Sequence, residues 1–422
     1  MAEESRAARV GLLSLGVGLA AAGVGAALGL AAERVAVGRP LLPRREDDDT
    51  EDYGGLHHGA RVVRANDGTA LHVEVDEVAD FRRPAAADDT SPAAAKAAGR
   101  GRDDRTAADA TGPGGGEPLT VVLSHGYALS MDSWHFQRKA LRGLHRLVLW
   151  DQRGHGRSGT GPEGSATIDQ VGRDLEAVLA AVAPTGPLVL VGHSMGGMTV
   201  MSLAEKRPDL FRDRVLGVAL VSTSAGGLGE VDFGLPGFGR LVQRLAPGAI
   251  KTLTRTPRLV ERGRRLGSDL EAVLVRRYSY ASPVSDALVR FTAHMIAATR
   301  LEVISDYLPT FSTHDKRAAL ATLDGLEVLV IVGDSDLLTP AEHSEEIVRR
   351  LPGAEHVVVK DSGHLLMLEH PQIVNGHLAE LVDRALRAHA GPAGRRYGTR
   401  ARRTVMPLRR RRRRRDAGGL SA

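Results

Sequence analysis

Ser194 stands in Leu190-Val191-Gly192-His193-Ser194-Met195-Gly196-Gly197, a G-x-S-x-G spacing that follows an apolar run and opens a helical stretch. A serine at a tight strand-to-helix turn can attack a carbonyl carbon once a base takes its proton. The glycines have a physical task there. The turn is so sharp that side chains at 192 and 196 would collide with neighbouring backbone. The start of the following helix adds positive potential where a developing oxyanion would sit.

The base is sought among 16 histidines. His364 is the best placed, in Asp361-Ser362-Gly363-His364 after the last apolar run and before a helix. His193 adjoins the nucleophile, so its side chain is expected to point away. His370 precedes Pro371 and is expected to help start the last helix, and His155 in Gly154-His155-Gly156 reads as structural. A base of this kind needs a carboxylate to hold its tautomer. Asp334 and Asp336 compete for that role in Gly333-Asp334-Ser335-Asp336-Leu337-Leu338-Thr339-Pro340, and Asp336 is the choice. Ser222-Thr223-Ser224 offers no carboxylate after the preceding strand. The chain order is then nucleophile, acid, base.

Stabilising an oxyanion takes two backbone donors. Met195 N–H, just after the nucleophile, is one. Tyr127 N–H, in Ser124-His125-Gly126-Tyr127, is the other, with Gly126 expected to let that loop turn sharply toward the site.

These residues need a sheet to carry them. Runs at 119–124, 146–151, 187–192, 215–222, 326–332 and 355–360 read as buried parallel strands. Helical stretches at 168–183, 195–207, 341–351 and 372–388 alternate with them, which predicts a doubly wound, mostly parallel α/β sheet. Residues 60–77 alternate around Asn66-Asp67-Gly68 and predict a β-hairpin. The interval 224–318 has helical periods at 268–280 and 285–305 and no strong strand, and reads as a helical cap inserted between two strands. Residues 82–117 have no period and read as a flexible insertion in a domain spanning 57–388.

Taken together, His125-Gly126-Tyr127, Asp151-Gln152-Arg153-Gly154-His155-Gly156-Arg157-Ser158, the Ser194 turn, the Asp336 loop and Gly363-His364 resemble the α/β-hydrolase superfamily, in its esterase, epoxide-hydrolase and haloperoxidase-like branch. Epoxide hydrolases and haloalkane dehalogenases carry Asp at the nucleophile position, so Ser194 argues against both. The resemblance implies hydrolysis of a carboxylic ester or thioester of an apolar small molecule or lipid through an acyl-enzyme. It also leaves open a perhydrolase-like side reaction, because cofactor-free haloperoxidases share the triad. The contrasting reading is a membrane-tethered binding protein that keeps the fold without the activity. The Asp151–Ser158 loop could pass for a phosphate or metal loop, but Asp151 and Arg153 read as braces for neighbouring loops. No metal-ligand spacing and no G-x-G-x-x-G after a first strand is present, so no cofactor and no metal is expected.

Composition bounds the rest. The 422 residues include no cysteine, which excludes disulfides, Cys-based zinc sites and a thiol nucleophile. Hydrophobic residues make up 42% and aromatics 4%, so the core is expected to be Val, Leu and Ala. The net charge of +5 owes much to a basic tail at 389–422, with unbroken arginine from Arg409 to Arg415. No aromatic interleaving accompanies that run, so a solvated or membrane-surface tail is expected, not a specific nucleic-acid binder. Residues 10–32 carry no charge and are long enough to cross roughly 30 Å of hydrocarbon, with Gly25 and Gly29 allowing close helix packing. Together with the linker up to residue 45 they are expected to hold the protein at a membrane. Arg34, Arg39, Arg44 and Arg45 after the segment outnumber Arg6 and Arg9 before it, which predicts a cytoplasmic catalytic domain.

Overall fold

Strands and helices alternate along the chain, and the computed structural model shows how they stack. The structure describes residues 50–81, 117–228, 268–390 and 403–405. Residues 10–32, nearly all of the insertion at 82–117 and most of the basic tail lie outside them. Among the described residues no helix is long and apolar enough to cross a membrane.

One nine-stranded sheet runs in the order β1-β2-β4-β3-β5-β6-β7-β8-β9. Its strands are β1 (Ala60–Arg64), β2 (Ala70–Asp76), β3 (Thr120–Ser124), β4 (Arg146–Trp150), β5 (Leu188–His193), β6 (Val215–Val221), β7 (Glu327–Gly333), β8 (Glu355–Val359) and β9 (Arg403–Val405). β2 pairs antiparallel with β1 and β4, and every other pairing is parallel. The hairpin β1–β2 turns at Asn66-Asp67-Gly68, where Gly68 takes φ 84° and Asp67 Oδ1 accepts Thr69 N–H.

Within the basic tail, residues 403–405 are described. Arg403–Val405 add to the sheet beside β8, with Val357 opposite Arg403 and Val359 opposite Val405. The outer edge of β8 presents unpaired N–H and C=O groups, and Thr404 and Val405 suit an extended strand.

The central strands are buried on both sides, so alternate residues feed two cores. Val122, Leu190, Val218 and Val330 face one side, where α2 (Ile168–Val182) and α3 (Met195–Lys206) pack. Val121, Leu123, Val189, Ala219 and Ile331 face the other, where α1 (His135–Leu141) and α8 (Pro371–Ala390) pack. In α2, Ile168, Val171, Leu175, Val178, Leu179 and Val182 fall on one buried stripe at helical spacing. Thr167 caps it by accepting Gln170 N–H at 3.1 Å. Helix α1 is not evident from periodicity. It is anchored by Arg138, whose guanidinium spans Glu74 and Asp76 on β2.

Between β6 and β7 the chain leaves the sheet. Three helices are described there, α4 (Ser268–Ser279), α5 (Asp286–Ala298) and α6 (Leu301–Thr313). The period expected over 285–305 is cut in two. Thr299 and Arg300 are extended, and no sequence signal marks the break. Helix α7 (Ala341–Arg350) follows β7.

Candidate active site

The chain places β4 on one side of β3 and then crosses to place β5 on the other, so the winding direction reverses at β3. The carboxyl ends of strands flanking such a switch form a natural crevice. The β3 and β5 loops meet there. A Cβ at Gly196 would collide with the carbonyl of Ser124, and one at Gly192 with the carbonyl of Gly196. Only glycine fits at either position.

Ser194 sits at the head of α3 with φ 51° and ψ −117°, a conformation costly for a residue with a Cβ. Its backbone is held on both sides. Ser194 N–H donates to Val221 O at 2.9 Å, and Thr223 Oγ1 donates to Ser194 O at 2.7 Å. The residue is partly accessible while its neighbours His193 and Met195 are buried. Met195 is the first residue of α3, where an N–H has no partner within the helix. Tyr127 follows β3 on the adjoining loop. Gly126 opens a turn in which its carbonyl accepts Leu129 N–H at 3.3 Å, with the positive φ taken by Ala128 at 57°. A side chain there would overlap His193 Nδ1, so the glycine makes room for His193.

Asp336 and His364 come together from the loops after β7 and β8. His364 Nδ1 lies 2.8 Å from Asp336 Oδ2. Because a carboxylate only accepts, Nδ1 carries a proton, and in the neutral ring the lone pair is then on Nε2. The other Asp336 oxygen accepts Leu338 N–H and Thr339 N–H, each at 2.9 Å, and Thr339 Oγ1 donates to Oδ2 at 2.9 Å. Burial alone would push this carboxyl up. Attraction to His364 when it is protonated, its hydrogen bond and the surrounding N–H donors reverse that and hold it below the usual carboxylate range. Asp334 turns the other way, toward Lys360 Nζ at 3.2 Å, with its side chain partly in solvent. The two loops are also joined through backbone, Ser335 N–H donating to Ser362 O at 3.0 Å.

His193 does more than point away from the nucleophile. Its Nε2–H donates to the His364 carbonyl at 3.0 Å, and the two rings lie 4.8 Å apart. Burial, and then the charge of His364, keep its pKa well below the ordinary histidine value, so it stays neutral. Thr339 and His193 both belong to the site and were not singled out for it by sequence reasoning. A D-x-x-T spacing before Pro340 is a local signal for Thr339. The partner of His193, 171 residues away, leaves no such signal.

The polar loop after β4 closes on itself. Asp151 accepts Met131 N–H and Arg157 N–H at 2.8 and 2.9 Å. Arg153 is fully buried, with two 2.6 Å bonds to Asp174 and one of 2.8 Å to Asp67. Gln152 links His125 and Thr199. Burial pushes His125 down to about 4 and His155 down to about 3, so both are neutral. Tyr127 stands between this loop, where its ring meets His155 edge-on with centroids 6.0 Å apart, and the β6–β7 insertion. Its hydroxyl donates to Ile304 O on α6 at 2.5 Å, and its ring packs on Phe311 with centroids 5.0 Å apart.

One group among the described residues has ligand-like proximity, Glu355, His377 and Glu380. Glu355 opens β8, at the sheet end opposite Ser194, and is paired with His377 at 3.1 Å and Arg384 at 2.7 Å. It is accounted for as an ion-pair network.

A family model described as the alpha/beta hydrolase fold matches residues 120–371. The chain is 29% identical over 327 residues to the dihydrolipoyllysine-residue acetyltransferase component of an acetoin cleaving system from Pseudomonas putida, covering 75% of this chain and 78% of that one. It is 27% identical over 256 residues to an sn-1-specific diacylglycerol lipase from Mus musculus, covering 60% of this chain and 77% of the relative. Among solved structures, a bromoperoxidase from Bacillus anthracis superposes with a TM-score of 0.55 at 20% identity, over 77% of this chain and 99% of that one. That likeness speaks to the fold alone.

Proposed function

The chain belongs to the α/β-hydrolase family and is a hydrolase, and from that premise we propose that it cleaves a carboxylic ester or thioester of an apolar small molecule or lipid through an acyl-enzyme on Ser194. One observation carries this reading. The Asp336–His364 pair commits Nδ1 and leaves Nε2 as a base, its ring against the residue before a strained serine. Ser194 Oγ attacks the carbonyl carbon and His364 takes its proton. His364 then returns that proton to the leaving alcohol or thiol, and water releases the acyl group by the same route. The N–H groups of Tyr127 and Met195 face the developing oxyanion in this scheme. A carboxylate held ionised by four donors stabilises the imidazolium that forms in between.

A relative named as a diacylglycerol lipase supports a lipid ester as substrate. The helices between β6 and β7 act as the cap that shapes its acyl site, with α6 bonded to Tyr127. Residues 10–32 are read as the segment that brings such a substrate within reach at a membrane surface. The test is covalent labelling of purified protein with a fluorophosphonate probe, followed by peptide mapping and an ester chain-length panel. Label on Ser194 and turnover of at least one ester are expected. An unlabelled, inactive but folded protein refutes the reading in favour of a binding protein with this fold.

A further inference from the structure

Glu369 ends the short helix Leu366–Glu369, and its side chain is 0% exposed. A buried carboxylate is costly unless its oxygens are satisfied. Here the donors are backbone N–H groups from two different loops. Oε2 accepts Gly363 N–H at 2.7 Å. Oε1 accepts Ala281 N–H at 2.9 Å and Ser282 N–H at 2.5 Å.

The first donor belongs to the peptide next to His364. The other two lie in the segment joining α4 to α5, midway along the β6–β7 insertion. Those loops are in close contact, since a Cβ at Gly363 would collide with Ser279 O and Tyr280 Cα. Leu365 N–H donates to Ser279 O at 2.9 Å, and His364 O accepts from His193. Three consecutive residues, 363 to 365, are thus each held by a different partner. Glu369 is the charged one, and charge-assisted bonds are about twice as strong as neutral ones.

We propose that Glu369 is a positioning residue that clamps the His364 loop to the α4–α5 connection and so sets where the imidazole stands relative to Ser194. The proposal rests on the reading of His364 as the base. A base carried on a loop gains rate only while its distance to the nucleophile is kept, and a shift near 1 Å can cost about 100-fold. Glu369 does not touch substrate in this scheme. Its loss should therefore lower kcat and leave KM nearly unchanged.

The test compares Glu369→Ala, Glu369→Gln and His364→Ala in the full chain, with rates referred to the folded fraction measured by circular dichroism. For Glu369→Ala, kcat on a short-acyl ester is expected to fall about 30-fold with KM within about twofold. The rate of fluorophosphonate labelling of Ser194 should fall in parallel. Glu369→Gln keeps the size and one carbonyl acceptor but sets its amide NH2 against a backbone N–H donor, so it is expected to recover only part of the loss and to stay at least about threefold down in kcat. A folded Ala variant with kcat and labelling rate within about twofold of wild type overturns the proposal. If the Ala variant does not fold, the Gln variant decides: a kcat at least about threefold down at unchanged KM supports the clamp, and wild-type kcat overturns it. His364→Ala separates the two layers. Residual activity above about a tenth of wild type removes the base assignment and the clamp with it. An inactive His364→Ala beside a wild-type-like Glu369→Ala removes only the clamp.

Discussion

The loops after β4 and β5 stand on either side of β3 and are both dense in buried polar residues, yet they finish their hydrogen bonds differently. In the Asp151–Ser158 loop the titratable groups return to the fold: Asp151 to two backbone N–H groups, Arg153 to Asp174 and Asp67. Around Ser194, among the described residues, the chain of bonds is open at one end: it runs from the Leu338 and Thr339 donors through Asp336 to His364 Nδ1 and ends on that ring. A closed network lowers the cost of buried charge and holds loops. An open one stores a base and, at Ser194, backbone strain. Polar density does not separate a brace from a site, but the end of the network does.

That contrast is easiest to break at its reactive end. Ser194→Ala is expected to cost on the order of 10⁴-fold or more in kcat with no change in melting temperature beyond a few degrees. Ester turnover above a tenth of wild type would end the assignment. Asp336→Asn should cost about 10³- to 10⁴-fold, since an amide no longer holds the His364 tautomer. Asp334→Asn, facing Lys360, should stay within about twofold, and side-by-side kcat values check the pair.

At the closed end the expected loss is of stability. Arg153→Met leaves Asp174 buried without its partner and should destabilise by about 3–5 kcal/mol, read from urea midpoints, with kcat per folded molecule nearly unchanged. A comparable loss in kcat would mean the brace also acts in catalysis. Asp67 gives a smaller, pH-dependent version. Burial would raise its carboxyl, but Arg153 and Thr69 bring it down to about 2, below the ordinary 3.8. A depressed carboxyl contributes stability that is present above about pH 4 and lost as pH falls through about 2. Asp67→Asn should therefore reduce the stability difference between pH 6 and pH 2, by about 1 kcal/mol or less once solvent screening at this exposed residue is allowed for, seen in denaturant titrations at the two values. Equal acid sensitivity in both proteins would place the titrating group elsewhere. A comparably small effect is expected for Tyr127→Phe. It removes the hydroxyl bond to Ile304 O but keeps the backbone N–H, so stability should fall by about 1 kcal/mol and kcat by no more than about threefold.

By itself the sequence determined the fold class, six of the parallel strands to within a residue or two, the hairpin at Asn66-Asp67-Gly68, and the glycine-flanked turn at Ser194. Those features are local. A buried parallel strand is a run of Val, Leu and Ile. A nucleophile turn is a glycine spacing. A stop between strand and helix is a short motif. The tertiary structure decided what depends on meetings between distant segments. It turned Asp336 toward His364 and Asp334 toward Lys360, a distinction two residues of loop cannot express. It gave His193 a carbonyl on the base loop, Gly126 the task of making room for His193, and Glu369 the N–H groups of two loops. It cut the 285–305 period at Thr299-Arg300, formed α1 around the anchor at Arg138, and paired Arg403–Val405 with the edge of β8. In each case the deciding energy is a hydrogen bond, ion pair or steric contact made across many residues, and such contacts leave no periodicity along the chain.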